Sequence, residues 1–262
     1  MGNEKSVKNR GLRMIEHHVT MNGIDVLARY SQRAVKDIFL PLLRKLAGLR
    51  QEKGGRVLAM LAAPPGAGKS TLLSFLERLA REKGLCGIQA IGMDGFHRRQ
   101  DDLLSHEIER DGQLIPMVAI KGAPVTFELE RLTERVKRVA AGERCGWPVY
   151  DRLLHNPVED ALRVDGDIVL LEGNYLLLDM DGWRDLKTCA DYTVSIRADE
   201  GLMRNRLIER RIKTGVKKDA ATQFVDFSDM PNVRLCLEKT MPADVQLAID
   251  GLGDYHMINI TG

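Results

Sequence analysis

The chain has 262 residues, with 39 Lys+Arg against 37 Asp+Glu, 44% apolar residues and 29% charged ones. That profile excludes wholesale disorder, a fibrous chain and a disulfide-stapled mini-domain, and its near-balanced charge argues against a dedicated nucleic-acid binder. The length fits one large α/β domain or two smaller ones and is enough to bury a sizeable core without covalent staples. The cysteines, Cys86, Cys145, Cys189 and Cys236, are widely spaced with no CxxC pair, which predicts free thiols rather than a metal knuckle. No run of 18 apolar residues suggests a membrane span. Met1-Gly2-Asn3-Glu4-Lys5-Ser6 matches only a loose myristoylation pattern with no second membrane signal behind it. A cytoplasmic protein is expected.

In chain order, residues 1–20 are polar, and from Asn22 to Arg50 the apolar residues recur at helical spacing. Pro41 inside that stretch separates two helices or kinks one. Short apolar runs then alternate with longer amphipathic ones. Val57–Ala62, Ile88–Met93, Ile168–Leu171, Tyr192–Ile196, Val245–Ile249 and Tyr255–Ile260 read as strands. Lys69–Lys83, Phe127–Ala141, Glu200–Thr214 and Asn232–Glu238 read as helices. Several strands are apolar at successive positions, as in Val57-Leu58-Ala59-Met60-Leu61, a pattern that suits a parallel sheet covered on both faces. The alternation predicts an α/β three-layer domain with right-handed crossovers. Gly95–Val125 and Cys145–Leu162 break it; they are charged, rich in Gly and Pro, and more suited to function than to core.

Ala63-Pro64-Pro65-Gly66-Ala67-Gly68-Lys69-Ser70 lies between a predicted strand and a predicted helix. It meets the phosphate-loop rule GxxxxGK[ST] except for Ala63 at the first Gly. Such a loop points successive backbone N–H groups at phosphate oxygens, and the following helix N-terminus adds partial positive charge. Pro65, Gly66, Ala67, Gly68, Lys69, Ser70 and Thr71 are therefore the candidate ATP-binding residues. Lys69 would bridge the β- and γ-phosphates, and the Ser70 hydroxyl would ligate Mg²⁺.

A guanine-reading Asn-Lys-x-Asp is lacking, and the strand end Leu170-Leu171-Glu172-Gly173 carries a single Glu where motor ATPases usually carry Asp-Glu. Three strand ends converge in an open α/β sheet: the phosphate loop, Asp94 and Glu172. One carboxylate near Mg²⁺ and another placed to take a proton are what phosphorylation of an alcohol requires.

These residues resemble the family of phosphoribulokinase, uridine kinase and type I pantothenate kinase, from about Arg56 to the C-terminus. Met93-Asp94-Gly95-Phe96-His97-Arg98 is similar to the family's Asp-x-Phe element, a resemblance that implies Asp94 is the catalytic base. Lys121-Gly122-Ala123-Pro124-Val125-Thr126-Phe127 resembles a pantothenate-kinase segment, although no acid stands where uridine kinases bind ribose hydroxyls. Tyr150-Asp151-Arg152-Leu153-Leu154-His155 keeps the uridine-kinase spacing Tyr-Asp-x-x-x-His. Leu171-Glu172-Gly173-Asn174 resembles the family's Leu-Glu-Gly strand end. The Lys-Gly-Ala-Pro segment, Val-Tyr-Asp-Arg and Asp229-Met230-Pro231-Asn232 look most like bacterial uridine-kinase-like proteins described, largely by inference, as fructose-transport or sugar kinases. The resemblance implies an ATP-dependent, Mg²⁺-requiring kinase with a three-layer P-loop fold like that of nucleoside kinases.

Residues 203–218 carry Arg204, Arg206, Arg210, Arg211, Lys213, Lys217 and Lys218 against Glu209 alone. Arg206 and Arg210, one helical turn apart, repel one another, and a phosphate between them would relieve this. The family's lid carries arginines here that clamp the transferring phosphoryl group; a solvated basic face is the alternative. His97 and Arg98 are candidate substrate contacts or structural hydrogen-bonders. Tyr150, Asp151 and His155 either bind substrate or fasten their own loop. Lys121 either meets an acidic substrate group or lies on the surface, and Trp147 and Trp183 read as packing residues.

The resulting expectation is an N-terminal helical extension over 1–50 and a kinase domain over 51–262, with a substrate-binding insertion at about 95–162 and a basic lid at about 203–218. The catalytic candidates are Asp94, Lys69, Arg206 and Arg210, with Ser70 and Glu172 for Mg²⁺. The acceptor is a small metabolite, a fructose-like sugar first and pantothenate or a nucleoside second; a regulatory protein with weak ATPase activity is the non-enzyme alternative. No nucleic acid or membrane partner is expected, and at most a second copy of the chain.

Overall fold

The chain is described from a computed structural model over residues 13–21, 24–85 and 87–258. The myristoylation pattern, Cys86 and the last part of the strand predicted at Tyr255–Ile260 lie outside these residues.

The N-terminal region departs from the helical expectation. Met14–Met21 (β1) and Ile24–Ser31 (β2) form an antiparallel hairpin with Met14 opposite Ser31. Val26, Ala28 and Tyr30 turn toward the protein while Asp25, Leu27 and Arg29 face outward, a strand period of 2. Leu27 fits helical spacing in the sequence but stands exposed on the outer face. The helix begins only after Ser31, whose hydroxyl accepts the Ala34 N–H at 2.9 Å as an N-cap. It runs as one rod, α1, through Gln32–Ala34, a π-turn at Val35–Phe39 and Leu40–Lys53. Pro41 neither splits nor ends it. The π-turn widens the helix just before the proline, where its ring would otherwise strike the carbonyl four residues back.

Val57–Ala62 (β3) leads through the phosphate loop into Lys69–Glu82 (α2), and Ile88–Gly92 (β4) follows. The stretch between β4 and Ile168–Gly173 holds more regular structure than a pair of long loops. It contains Gln100–Ser105 (α3), the hairpin Glu107–Arg110 (β5) with Gln113–Pro116 (β6), Leu129–Ala140 (α4), and the hairpin Cys145–Asp151 (β7) with Asn156–Val164 (β8). Ile168–Gly173 (β9), Tyr192–Ala198 (β10), Glu200–Lys213 (α5) and a second long rod, α6, come next. The rod α6 joins Lys218–Phe224, a π-turn at Val225–Asp229 and Met230–Lys239, so the helix predicted at Asn232–Glu238 is part of a longer one. Pro231 stands just after that π-turn, as Pro41 does after the first. Val245–Ile249 (β11) and Tyr255–Met257 (β12) complete the main sheet.

That sheet has the order β12-β11-β10-β3-β9-β4 and is parallel except for β12. The α/β three-layer architecture is as expected. Along β3, Val57, Ala59 and Leu61 pack toward α1, α2 and the hairpin, while Leu58, Met60 and Ala62 pack toward α4 and the two tryptophans. Both faces are covered, which is why the strand is apolar without alternation. On the first face Tyr30 stacks on Phe75 at 4.3 Å between ring centroids, fastening the N-terminal hairpin to α2. Ser31 and Arg33 each donate to the Asp254 carboxylate at 2.8 Å and tie the same region to the last strand.

Candidate active site

The parallel strands β3, β4 and β9 point their carboxyl ends at one region. Gly66 and Gly68 hold left-handed φ values of 84° and 81°, which a side chain would strain. A Cβ at Gly66 would also stand 3.1 Å from Leu207 Cγ, so the phosphate loop packs closely beneath α5. At the first turn of α2, Lys69 Nζ lies 4.0 Å from Glu172 Oε2, and the Ser70 hydroxyl donates to Glu172 Oε1 at 2.6 Å.

Glu172, at the end of β9, is buried, and its second oxygen has no hydrogen-bond partner among the described residues. Burial pushes its carboxyl above the ordinary value, against the pull of Lys69. An orphaned carboxylate oxygen beside a serine hydroxyl is an all-oxygen donor set and fits Mg²⁺, a hard cation that keeps waters and shares nucleotide phosphates. Among the described residues no cluster of three or more His, Cys, Asp or Glu could hold a metal ion, so the remaining ligands would come from phosphate and water.

Asp94 sits in a short 3₁₀ turn, Met93–Phe96, directly after β4. Gly95 must be glycine, because a Cβ there would run into the Pro148 carbonyl. The Trp147 indole donates to the Gly92 carbonyl at 2.8 Å, so the hairpin β7–β8 clamps the turn that presents Asp94. Burial opposes ionisation of Asp94, but the charges of His97, Lys69, Arg152 and Arg210 outweigh it and hold the carboxyl below the ordinary value. His97 Nδ1 meets the Asp94 carbonyl at 2.8 Å, and its ring packs 4.0 Å from that of Phe127. Burial lowers its pKa, against the pull of the Asp94 carboxylate and carbonyl.

A cleft of about 370 Å³ joins Lys69, Asp94 and His97, enough for a small metabolite. Among the predicted residues it brings together Pro65, Lys69, Asp94, His97, Lys121, Tyr150, His155 and Arg210. A neighbouring hollow of about 380 Å³ is lined by Gly66, Ala67, Gly68, Thr71 and Arg206, with Tyr30, Gly253 and Tyr255 beyond them. Arg210 faces both spaces. Ser70 and Glu172 line neither; they face a third hollow of about 260 Å³ with Gly92 and Trp147, and Glu172 meets Lys69 from that side. The N-terminal hairpin thus forms part of the wall beside the phosphate loop, a role its sequence carries no motif for.

Two of the candidate substrate contacts, Arg98 and Asp151, do not line the cleft and take the structural alternative instead. Arg98 turns away from the cleft, donating to the Val125 carbonyl at 3.2 Å and to Asp102 at 3.3 Å. Asp151 accepts the Leu153 and Leu154 N–H groups at 2.7 and 3.0 Å and fastens its own turn. The basic run on α5 is not a uniform lid either. Arg204 pairs with Asp226 at 2.6 Å, and Arg211 pairs with Asp229 at 3.3 Å while its guanidinium lies over the Phe224 ring. Arg206 faces only the hollow by the phosphate loop, whereas Arg210 lines that hollow and the cleft alike.

Gln100, Arg152, Asn174, Arg211, Asp229 and Asn232 also line the cleft but stand outside the predicted set. Asn174 and the Asp229–Asn232 segment belong to motifs already quoted for the family resemblance. Arg152 has no signal of its own beyond its place in the Tyr-Asp-x-x-x-His spacing.

The phosphate loop, the strand-end carboxylates and the cleft between them agree with what comparison with known proteins finds. An uncharacterized protein of Escherichia coli (strain K12), YggC, is 38% identical over 240 residues, covering 91% of this chain and 97% of that one. The pantothenate kinase of Lactococcus lactis subsp. cremoris (strain MG1363) is 25% identical over 223 residues, covering 77% of this chain and 70% of that one. The crystal structure of a "putative fructose transport system kinase" from Silicibacter sp. TM1040 is similar at TM-score 0.66 and 30% identity, covering 77% of this chain and 98% of that one. The model of the phosphoribulokinase/uridine kinase family matches residues 58–251, the span from β3 past β11 that builds the cleft, and the chain belongs to that family of small-molecule kinases.

Proposed function

We propose that the protein transfers the γ-phosphoryl group of ATP to a hydroxyl of a small polar metabolite, with a fructose-like sugar as the leading class. The observation that carries this is the placement of Lys69, at the start of α2, and Asp94, after β4, in one cleft large enough for an acceptor. The likeness to the Silicibacter protein supports a sugar, and the likeness to pantothenate kinase keeps pantothenate as the alternative.

In this reading the triphosphate lies on the N–H groups of the phosphate loop, with its nucleoside toward the hollow beside Tyr30 and Tyr255. Lys69 bridges the β- and γ-phosphates. Ser70 and Glu172 would hold Mg²⁺, which when bound neutralises charge on the β- and γ-oxygens. Asp94 orients the acceptor hydroxyl and takes its proton as the new O–P bond forms and the bond to ADP breaks. Its depressed pKa keeps it ionised at neutral pH, as an acceptor of that proton must be. Arg210, facing both spaces, stabilises the charge that develops on the group in transit.

The test is coupled ADP release with Mg²⁺·ATP against a panel of sugars, pantothenate and nucleosides. An acceptor-dependent rate that Asp94→Asn abolishes while ATP binding persists is the expected result. ATP turnover that no candidate acceptor stimulates would instead favour a nucleotide-binding regulatory protein.

A further inference from the structure

We propose that the acceptor is itself an anion, a hydroxylated compound whose carboxylate or phosphate is held by Lys121 and Arg152 while its hydroxyl meets Asp94. This rests on the phosphotransfer reading above and narrows its acceptor class.

The cleft is lined by Lys69, Lys121, Arg152, Arg210 and Arg211 against only Asp94 and Asp229. Three of these cations have an evident occupation. Lys69 lies beside Glu172, Arg211 is paired with Asp229, and Arg210 also faces the hollow by the phosphate loop, where a triphosphate would meet it. Lys121 and Arg152 remain, and neither is paired with a carboxylate among the described residues.

Lys121 is held by neutral groups alone. Its ammonium donates to Gln100 Oε1 at 2.6 Å and to the His155 carbonyl at 3.0 Å, and it lies 4.9 Å from the centroid of the Tyr150 ring. Two of its three N–H bonds are thereby directed, which leaves one for the cleft. Gln100 is itself placed by its backbone N–H, which donates to Asn156 Oδ1 at 2.8 Å, so the lysine is fixed from both sides. Burial without an anion lowers its pKa, a sign of charge held out of water and not yet compensated. Arg152, on the turn between β7 and β8, has a buried Nε with no hydrogen-bond partner among the described residues. Its charge bears on Asp94 and His97 and works against that of Arg210, so the two guanidiniums repel across the cleft.

A built cation site without its anion is costly, because partly desolvated charge needs a counter-charge and a hydrogen-bond acceptor. A neutral sugar supplies hydroxyls and no counter-charge. A carboxylate or phosphate on the acceptor supplies both, and the planar fork of Arg152 suits either group. The anion would also orient the acceptor, leaving a hydroxyl at the Asp94 end of the cleft and the charge at the Lys121 end.

The experiment uses matched pairs that differ in charge: glycerol with glycerate for the carboxylate arm, and fructose with fructose 6-phosphate for the phosphate arm. Binding is read by calorimetry on protein saturated with a non-hydrolysable ATP analogue and Mg²⁺, and turnover by coupled ADP release with ATP. At least one anionic member should bind and turn over with a kcat/KM at least tenfold above its neutral counterpart. Lys121→Met and Arg152→Gln should each raise its KM by about 10- to 100-fold, the range of a hydrogen bond to a charged group, with the KM for ATP unchanged. Lys121→Arg, which keeps the charge, should restore most of the loss and separates recognition from misfolding. A neutral sugar used as well as its charged partner, an acceptor KM indifferent to Lys121→Met, or no binding by either anion in protein that binds the ATP analogue would each overturn the proposal. Lys121-dependent anion binding without any ADP release would instead preserve the anion site and defeat the phosphotransfer reading.

Discussion

The nucleotide side of the cleft comes from one uninterrupted stretch, β3, the phosphate loop and α2, joined by Glu172 from the adjacent strand. The acceptor side is assembled from separated segments: Asp94 to Gln100, Lys121, Tyr150 to His155, Asn174, Arg210 with Arg211, and Asp229 with Asn232. In the proposed reaction the first would bind through backbone N–H groups, whose positions follow from local dihedrals. The second would bind through side chains, whose positions depend on how two hairpins and two helical rods pack. A phosphate site of the first kind is therefore compact in sequence, whereas a specificity site of the second kind is dispersed and free to vary.

The largest effect that sharpens this contrast is expected from Asp94→Asn. It should lower kcat by about 10³-fold, within the range for loss of a general base, and leave the ATP Kd measured by calorimetry unchanged. An equal loss of nucleotide affinity would mean that the two sides are not separable. Next, Arg210→Gln should cost about 10²-fold in kcat, because its guanidinium faces both spaces. Arg206→Gln should act mainly on the KM for ATP, since Arg206 faces only the nucleotide side. Identical kinetic effects of the two changes would break the division.

Smaller effects probe the scaffolds beneath. Gly95→Ala forces a methyl group into the Pro148 carbonyl and should destabilise the protein by about 3 kcal/mol in a denaturant titration, with activity falling in parallel. Asp254→Asn should cost about 1–2 kcal/mol by loosening the tie among Ser31, Arg33 and the last strand. Burial raises the Asp254 pKa, but its hydrogen bonds from Arg33 and Ser31 outweigh this and hold it below the ordinary value. Its contribution is thus complete above the unfolded carboxylate pKa of about 3.9 and is lost as pH falls through the lower folded value. The stability gap between wild type and Asp254→Asn should accordingly close on acidification; a gap constant with pH would contradict the pairing. The smallest effect, under about 1 kcal/mol in stability and about twofold in kcat, is expected for Arg98→Ala, because its half-exposed guanidinium is spent on Val125 and Asp102.

The main sheet is legible in the sequence because strands buried on both faces must be apolar at successive positions, and Val57–Ala62 and Val245–Ile249 coincide with the observed strands. The N-terminal hairpin is not, because Leu27 completes a helical pattern whose competing period of 2 prevails only when β2 pairs with β1 and turns Tyr30 onto Phe75. Within the cleft, Lys69 and Asp94 are legible from local motifs and strand ends. Arg98 and Asp151 sit beside such motifs, yet their side chains find nearer partners and leave the site. Arg152 lies one residue from Asp151 and faces the cleft, a difference that neighbouring positions in a sequence do not reveal.

The sequence by itself determined the α/β layering, the phosphate loop with Lys69 and Ser70, and the strand-end carboxylates Asp94 and Glu172. Each of these follows from residues close together in the chain and from the local geometry they impose. Only the tertiary structure decided which cations face the cleft, that acids on α6 occupy Arg204 and Arg211, and that the N-terminal hairpin walls the hollow beside the phosphate loop. The near-equality of 39 basic and 37 acidic residues hides this arrangement, because a summed charge carries no information about which charges are paired. Pairing is set by packing between distant segments, and it leaves Lys121 and Arg152 in the cleft without a carboxylate partner among the described residues.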